Sequence, residues 1–434
     1  MGDIMTDTIY APATASGRAG VGILRISGPD AFSVAETICG TLPPPKKTAL
    51  RYLRDTDGEI VDQALVISFE KGRSFTGEDV VEFQHHGSPV VASKLMEILS
   101  REGRSRPADA GEFTRRSLTN GVMDLVQVEG LADLLDADTE AQRRQAMRVM
   151  DGALTELVGA WRHDLLHAIA LVEATIDFAD EEVPQDVWPE VEARLRSVRK
   201  SMVDQLAGSS AASQIRTGFE IAIVGKPNAG KSSLINFLSR REVALTSEVA
   251  GTTRDIIEVR LDIGGHLVTV LDTAGLRTSS DEIERMGVEL ARRRAAEADI
   301  RLYLLSDGEV DPEPGFRIHP YDIVIQGKDD DGSSGGVSGK TGQGVSALLE
   351  RIQHLLDRTG ENASLLIRAR HQMSVEQAVV TLGDVLDRLY VGASMSEFIS
   401  SDLRKVLMDL DELIGRVGVE DVLGEIFSSF CIGK

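Results

Sequence analysis

Cysteine is nearly missing from this chain: Cys39 and Cys431 are the only two in 434 residues. A disulfide framework is therefore excluded, and a reducing cytoplasm is the expected setting. No apolar run approaches the roughly 18 residues a membrane span requires, and no charged-then-apolar leader opens the sequence. Basic charge is also short. Lys and Arg number 47 against 69 Asp and Glu, a net charge of −22. Arg115-Arg116, Arg143-Arg144 and Arg292-Arg293-Arg294 form isolated spots rather than a basic stripe. A chain that grips nucleic acid alone neutralises phosphates with such a stripe, so any nucleic acid here is expected to rest mostly on a more basic partner. The eight histidines show no metal-ligand spacing, and no repeat of solenoid period is visible. What remains is the mix of a soluble globular protein, 42% hydrophobic and 27% charged, with length for about three domains.

Three textures follow one another. Residues 7 to 120 are rich in strands and turns, with Val21–Gly28 and Leu65–Phe69 as apolar runs bounded by Gly, Pro and Ser. From about 125 to 212 the pattern is helical: Leu154, Val158, Trp161, Leu165 and Ile169 recur at three- and four-residue steps. Ser209-Ser210-Ala211-Ala212-Ser213 reads as a linker. Strands and helices then alternate. Phe219–Val224 is a strand, Ser232–Leu238 a helix, and Ile256–Ile263 and His266–Leu271 flank a Gly264-Gly265 hairpin turn. Ile300–Leu305 and Asp322–Ile325 read as buried strands and Ser346–Leu356 as a closing helix, with an acidic Gly/Ser-rich loop at Gly327–Gly336. Helical texture returns after residue 363. The expected architecture is multidomain: an α+β domain over 1–121, a helical domain in two parts over 122–214 and 361–434, and a Ras-like α/β domain over 215–360 inserted between them.

Gly225-Lys226-Pro227-Asn228-Ala229-Gly230-Lys231-Ser232, with Ser233 following, fits G-x-x-x-x-G-K-[ST] between a strand and a helix. Glycines let backbone amides curl around phosphates, the helix N-terminus favours an anion, Lys231 adds positive charge, and Ser232 offers Mg²⁺ a hydroxyl. Asp272-Thr273-Ala274-Gly275 follows the hairpin, where an Asp reaches Mg²⁺ through water and the Gly amide meets a γ-phosphate. Upstream, Gly251-Thr252-Thr253 offers a further Mg²⁺ hydroxyl, assigned to Thr253; downstream, Ser338-Gly339-Lys340 takes the place of a base-reading loop. These elements in this order point to a GTPase.

Guanine is ordinarily read by Asn-Lys-x-Asp. Here the segment is Gly327-Lys328-Asp329-Asp330, with Gly at the Asn position. Lys328 and Asp330 keep guanine preference, and loss of a tethering side chain predicts weaker nucleotide affinity. Leu276 stands where a Gln orients water in Ras-like enzymes. Asn228 carries two readings from spacing alone, a turn-forming residue after Pro227 or an amide-oxygen ligand for a monovalent cation. From spacing, Asp281-x-x-Glu284 reads as a capping box.

The chain resembles the MnmE (TrmE) family of tRNA-modifying GTPases over essentially its full length. The resemblance rests on Gly17–Gly28, Ser74-Phe75-Thr76-Gly77-Glu78-Asp79, the phosphate loop with Asn228, and the tail Phe427-Ser428-Ser429-Phe430-Cys431-Ile432-Gly433-Lys434. It implies an N-terminal folate-binding domain and K⁺ held by Asn228, Ser247, Val249 and Thr252. The K⁺ loop is Ser247-Glu248-Val249-Ala250-Gly251-Thr252-Thr253, and the ion stands where an arginine finger would act. Glu284 is implied as the catalytic group that orients water. Arg25, Glu82 and Lys434 are implied as contacts to a 5-formyl- or 5,10-methylenetetrahydrofolate, and Cys431 as important for modification. A strand-end ion pair for Arg25 and Glu82, and a small docking hydrophobe for Cys431, stand beside those roles. Val122 departs from the Lys more common in the family.

The implied activity is K⁺-stimulated GTP hydrolysis by a homodimer inside a heterotetramer with an MnmG-like flavoprotein carrying FAD and using NADH. Together they would modify carbon 5 of the wobble uridine (U34) of certain tRNAs, away from any membrane. The rival reading is a regulatory GTPase switch for ribosome assembly or signalling.

Overall fold

The computed structural model describes residues 7–177, 187–241, 243–245, 258–272, 293–306, 309, 320–360, 363–389, 395–416 and 433. It divides into two compact units, residues 1–132 with 411–434, and residues 133–410. Among the described residues no helix is long and apolar enough to cross a membrane.

The first unit is α+β. Its strands are β1 (Thr8–Pro12), β2 (Val21–Ser27), β3 (Thr48–Arg54), β4 (Ile60–Phe69), β5 (Val80–His86) and β6 (Ser105–Pro107), in sheet order β3-β4-β5-β2-β1-β6. Pairing is antiparallel except for β1 with β6. Helices α1 (Ala31–Cys39), α2 (Pro89–Glu102) and α3 (Glu112–Thr119) complete it. The two-residue period decides which face does what. Leu24 and Ile26 of β2 and Val81 and Phe83 of β5 join Val34, Ile38, Leu95 and Leu99 of the two helices in one core. Arg25 and Glu82 therefore fall on the opposite face.

The second unit holds helices and a second sheet. Helix α4 (Leu125–Leu135), which begins in the first unit and ends in the second, leads into α5 (Glu140–Met150), α6 (Ala153–Asp177), α7 (Trp188–Ala207) and α8 (Ser209–Thr217). The apolar ladder of α6 is buried as its spacing predicts, with Leu154, Val158 and Leu165 fully enclosed, and Trp161 Nε1 donates to Ser201 Oγ at 2.9 Å. The expected linker at Ser209–Ser213 is instead the first half of α8. Its small residues reflect packing rather than looseness: Ala212 and Ile215 are buried three apart, and Gln145 of α5 donates to the Ala212 carbonyl at 2.9 Å.

The second sheet is built from β7 (Phe219–Val224), β8 (Glu258–Ile263), β9 (His266–Asp272), β10 (Ile300–Leu305) and β11 (Ile323–Gln326), in order β11-β10-β7-β9-β8. All pairs are parallel except the β8–β9 hairpin. Its turn residues Gly264 and Gly265 both have positive φ, 61° and 88°, as a two-residue hairpin needs. Helix α9 (Lys231–Leu238) follows β7, and α10 (Val345–Gly360) closes the α/β part. Helices α11 (Ala369–Arg388) and α12 (Ser396–Leu413) return to the helical texture. The hairpin turn meets α5 where Ala141 N donates to Gly265 O at 3.0 Å, and Arg260 of β8 pairs at 3.0 Å with Asp138, just before that helix. Strand order reverses at β7, so the crevice beyond its carboxyl end is where a doubly wound sheet binds ligand.

Candidate functional site

That crevice holds the glycine-rich loop. Asn228 takes φ +67°, a left-handed conformation that Asn adopts more readily than most side chains. The turn closes through Ala229 N to Lys226 O at 3.2 Å, and α9 starts with Leu234 N to Gly230 O at 2.9 Å. Lys231 is buried, its Nζ donating to the Gly225 and Lys226 carbonyls at 2.6 and 2.9 Å. Ser232 and Ser233 open α9 on its exposed side. Lys226 pairs with Glu309, which also accepts from Ser306 N at 2.7 Å. Lys226 and the Ser306 amide hold the Glu309 carboxyl below its usual range.

The base-side segments come to the same place. Gly230, Ser233 and Leu234 of the loop and α9, Lys328 and Asp330, and Ser338, Gly339 and Lys340 border a cavity of about 170 Å³. Asp330 Oδ1 accepts from Ser338 Oγ at 2.6 Å, and Lys340 Nζ lies 3.7 Å from Oδ2. Gly339 is needed for that closeness, because a Cβ there would lie 2.3 Å from both Leu234 N and the Ser233 carbonyl carbon. Sequence reasoning passed over Asp329. Its buried carboxylate accepts from Gly336 N at 2.8 Å and Ser334 N at 3.3 Å, so the Gly/Ser loop is tied by its own acid. Burial alone would raise that carboxyl, and the two amides more than reverse the effect.

Several predicted positions lie outside the described residues: Ser247 to Thr253 of the K⁺ loop, Thr273, Ala274, Gly275, Leu276, Glu284, Cys431 and Lys434. The backbone of Asp272 ends β9.

On the first unit, Arg25 and Glu82 are directly opposed across β2 and β5, with Nε 2.8 Å from Oε1. The guanidinium carbon sits 5.3 Å from the Phe75 ring centroid and 5.4 Å from that of Phe113, a cation–π cradle. Nη1 reaches the Gly433 carbonyl at 3.5 Å, which brings the tail's one described residue to this face. Val122 packs within the same unit over Gly77 of the Ser74–Asp79 segment, where a Cβ would lie 2.9 Å from its Cγ2.

Beside this pair lies a charge cluster that the sequence analysis did not single out. Arg116 is fully buried and donates to Glu112 at 2.9 Å, Glu78 at 3.1 Å and Asp7 Oδ1 at 2.8 Å. Ser27 ties Thr76 and Glu78 into it, both at 2.7 Å. Burial would raise the Glu112 carboxyl, but hydrogen bonds from Arg106, the Asp109 amide and Arg116 bring it to about 2. The four-residue spacing of Glu112 and Arg116 on one helix face was the available signal.

Comparison with known proteins supplies the family. Residues 8–122 match the family described as the GTP-binding protein TrmE N-terminus. Residues 125–431 match the MnmE helical domain. The chain belongs to the MnmE family of tRNA modification GTPases. It is 52% identical over 432 residues to the tRNA modification GTPase MnmE of Roseobacter denitrificans, covering 99% of this chain and all of that one. It is likewise 52% identical over 431 residues to that of Cereibacter sphaeroides, with the same coverage. A solved structure of Aquifex aeolicus Era bound to GDP and aluminium fluoride is 26% identical over 31% of this chain and 56% of that one, at a TM-score of 0.23. So poor a superposition adds nothing to the assignment, which rests on the two family matches and the full-length relatives.

Proposed function

We propose that this GTPase is stimulated by K⁺ and works with an FAD-containing, MnmG-like partner to modify carbon 5 of the wobble uridine in certain tRNAs. The product is an aminomethyl or carboxymethylaminomethyl group, its one-carbon unit coming from a tetrahydrofolate bound near Arg25 and Glu82. Family membership over the whole chain carries this reading. The geometry around Arg25 supports it: its guanidinium lies over two aromatic rings and close to Gly433, and it pairs with a carboxylate, a group that can accept paired hydrogen bonds from an aminopyrimidine edge. Glu82 engages Arg25 through Oε1 alone among the described residues, which leaves Oε2 for such a ligand.

Hydrolysis is assigned to groups around the phosphate loop. Lys231 and the loop amides bind the phosphates, and Ser232, Thr253 and Asp272 would hold Mg²⁺, which would neutralise phosphate charge. Asn228, Ser247, Val249 and Thr252 would hold K⁺, which would supply the positive charge of an arginine finger, and Glu284 would orient the attacking water. The strongly acidic composition leaves most tRNA contacts to the partner within a heterotetramer built on a homodimer of this chain.

The decisive experiment deletes the gene and analyses tRNA nucleosides. The modified wobble uridine should disappear and return with the intact gene. Unchanged modification would refute the reading and favour a regulatory switch.

A further inference from the structure

Gly327 occupies the place where a guanine-reading motif ordinarily carries Asn, and from sequence it reads as a lost tether. The space around it says otherwise. A Cβ built on Gly327 lies 2.3 Å from the Ala229 carbonyl oxygen, 3.0 Å from Leu304 Cγ and 3.1 Å from Leu304 Cδ2. The first of these is backbone of the phosphate loop and cannot swing aside.

Neither partner is free to retreat. Ala229 is held in its turn by its own amide, bonded to Lys226 O at 3.2 Å, and the next residue, Gly230, is at φ +104° where α9 begins. Gly327 N donates to Leu305 O at 2.9 Å, and Val337 N to Gln326 O at 2.8 Å, so the sheet edge pins the segment from the other side. Lys328 follows at φ +55°, and its Cγ lies 3.4 Å from where a Cβ on Gly230 would stand.

We infer that Gly327 is the point at which the base-side segment rests directly on the phosphate loop, backbone on backbone, and that any side chain there, Asn included, pries the two apart. The inference rests on reading Lys328–Asp330 as the guanine-recognising segment. The spacing between base and phosphate subsites is then set by a missing Cβ, and the chain has exchanged a side-chain tether for direct contact. Restoring the familiar Asn would harm the site.

The test uses the full chain, fluorescent GDP titrations and stopped-flow dissociation on Gly327→Ala and Gly327→Asn. Both share the added Cβ, so both should weaken GDP by about tenfold or more, chiefly through faster release. A lost-tether account expects the reverse pattern, with Ala neutral and Asn tighter, and either result overturns the inference. Thermal unfolding without nucleotide checks that each variant folds. Should the Asn variant fail, the single added carbon of Gly327→Ala decides alone, and unchanged GDP affinity overturns the claim. A separate arm, Asp330→Asn, should move preference from GDP to xanthosine diphosphate. If it does not, the base-reading assignment falls, and that outcome is distinct from a failure of the Gly327 contact.

Discussion

Around Arg25 and Arg116, charge is answered by side chains. Glu82, Glu112, Glu78 and Asp7 meet the two guanidiniums, and two phenyl rings cradle Arg25. Around Lys231 and Asp329 main chain answers much of the charge, beside the side-chain pairs Lys226–Glu309 and Lys340–Asp330. Two carbonyls hold the ammonium, two amides hold Asp329, and glycines let one backbone lie on another. Side-chain charges bought together under the surface must all be present at once, because removing one strands the others in a poorly solvated place. A main-chain cradle has no such debt, since its carbonyls survive any substitution and its amides any but proline, and added volume spoils it. The first unit should therefore fail by losing stability, and the nucleotide site by losing binding.

The contrast breaks hardest at Arg116. Arg116→Met strands Glu112 and should destabilise the protein by about 3–5 kcal/mol, read by urea unfolding, while GDP affinity of the folded protein is unchanged. Acid should sharpen the result. Glu112 sits at about 2 against an ordinary 4.5, so its stabilising contribution is full above the ordinary value and drains as pH falls from there toward the folded one. Arg116→Met should flatten part of that slope. Equal loss of GDP affinity would show that the two regions are not independent in this way.

At the nucleotide site, Lys231→Ala should cost roughly 2–3 kcal/mol of GDP binding, about a hundredfold, measured by titration, with little change in unfolding midpoint. A large drop in stability instead would mean that its bonds to Gly225 and Lys226 hold the fold. The smallest effect belongs to Ser338→Ala. It removes one hydroxyl from Asp330 and should weaken GDP by about fivefold, near 1 kcal/mol. No change would place Ser338 outside base recognition.

The same division explains what could be read beforehand. A main-chain cradle needs glycines at fixed intervals on a strand–turn–helix, so its spacing is written locally. Phe219–Val224 and Ile300–Leu305 were legible to the residue, as were Gly264-Gly265 and the buried ladder of α6. Side-chain clusters assemble from distant segments. Asp7, Glu78 and Arg116 carry no mutual spacing that a pattern could catch, and the pairing of Arg25 with Glu82 entered through resemblance rather than periodicity. Ser209–Ser213 misled because small residues look the same in a linker and in a helix pressed against a neighbour. At Gly327 the missing side chain was visible in sequence, while the Ala229 carbonyl 2.3 Å from where its Cβ would stand was not.

One main-chain bond in the second unit reaches beyond both sites. The amide of Ala141, in the first turn of α5, has its partner in the hairpin turn of the nucleotide-binding sheet, at Gly265. First-turn amides find no acceptor inside their own helix and need one from outside. The inserted sheet is thus more than a passenger between the flanking helices. Cutting it out would leave the Thr139–Gln142 capping box to close the first turn of α5 alone and would strip the Ala141 amide of its acceptor, so the segment that interrupts the helices in sequence also completes one of them.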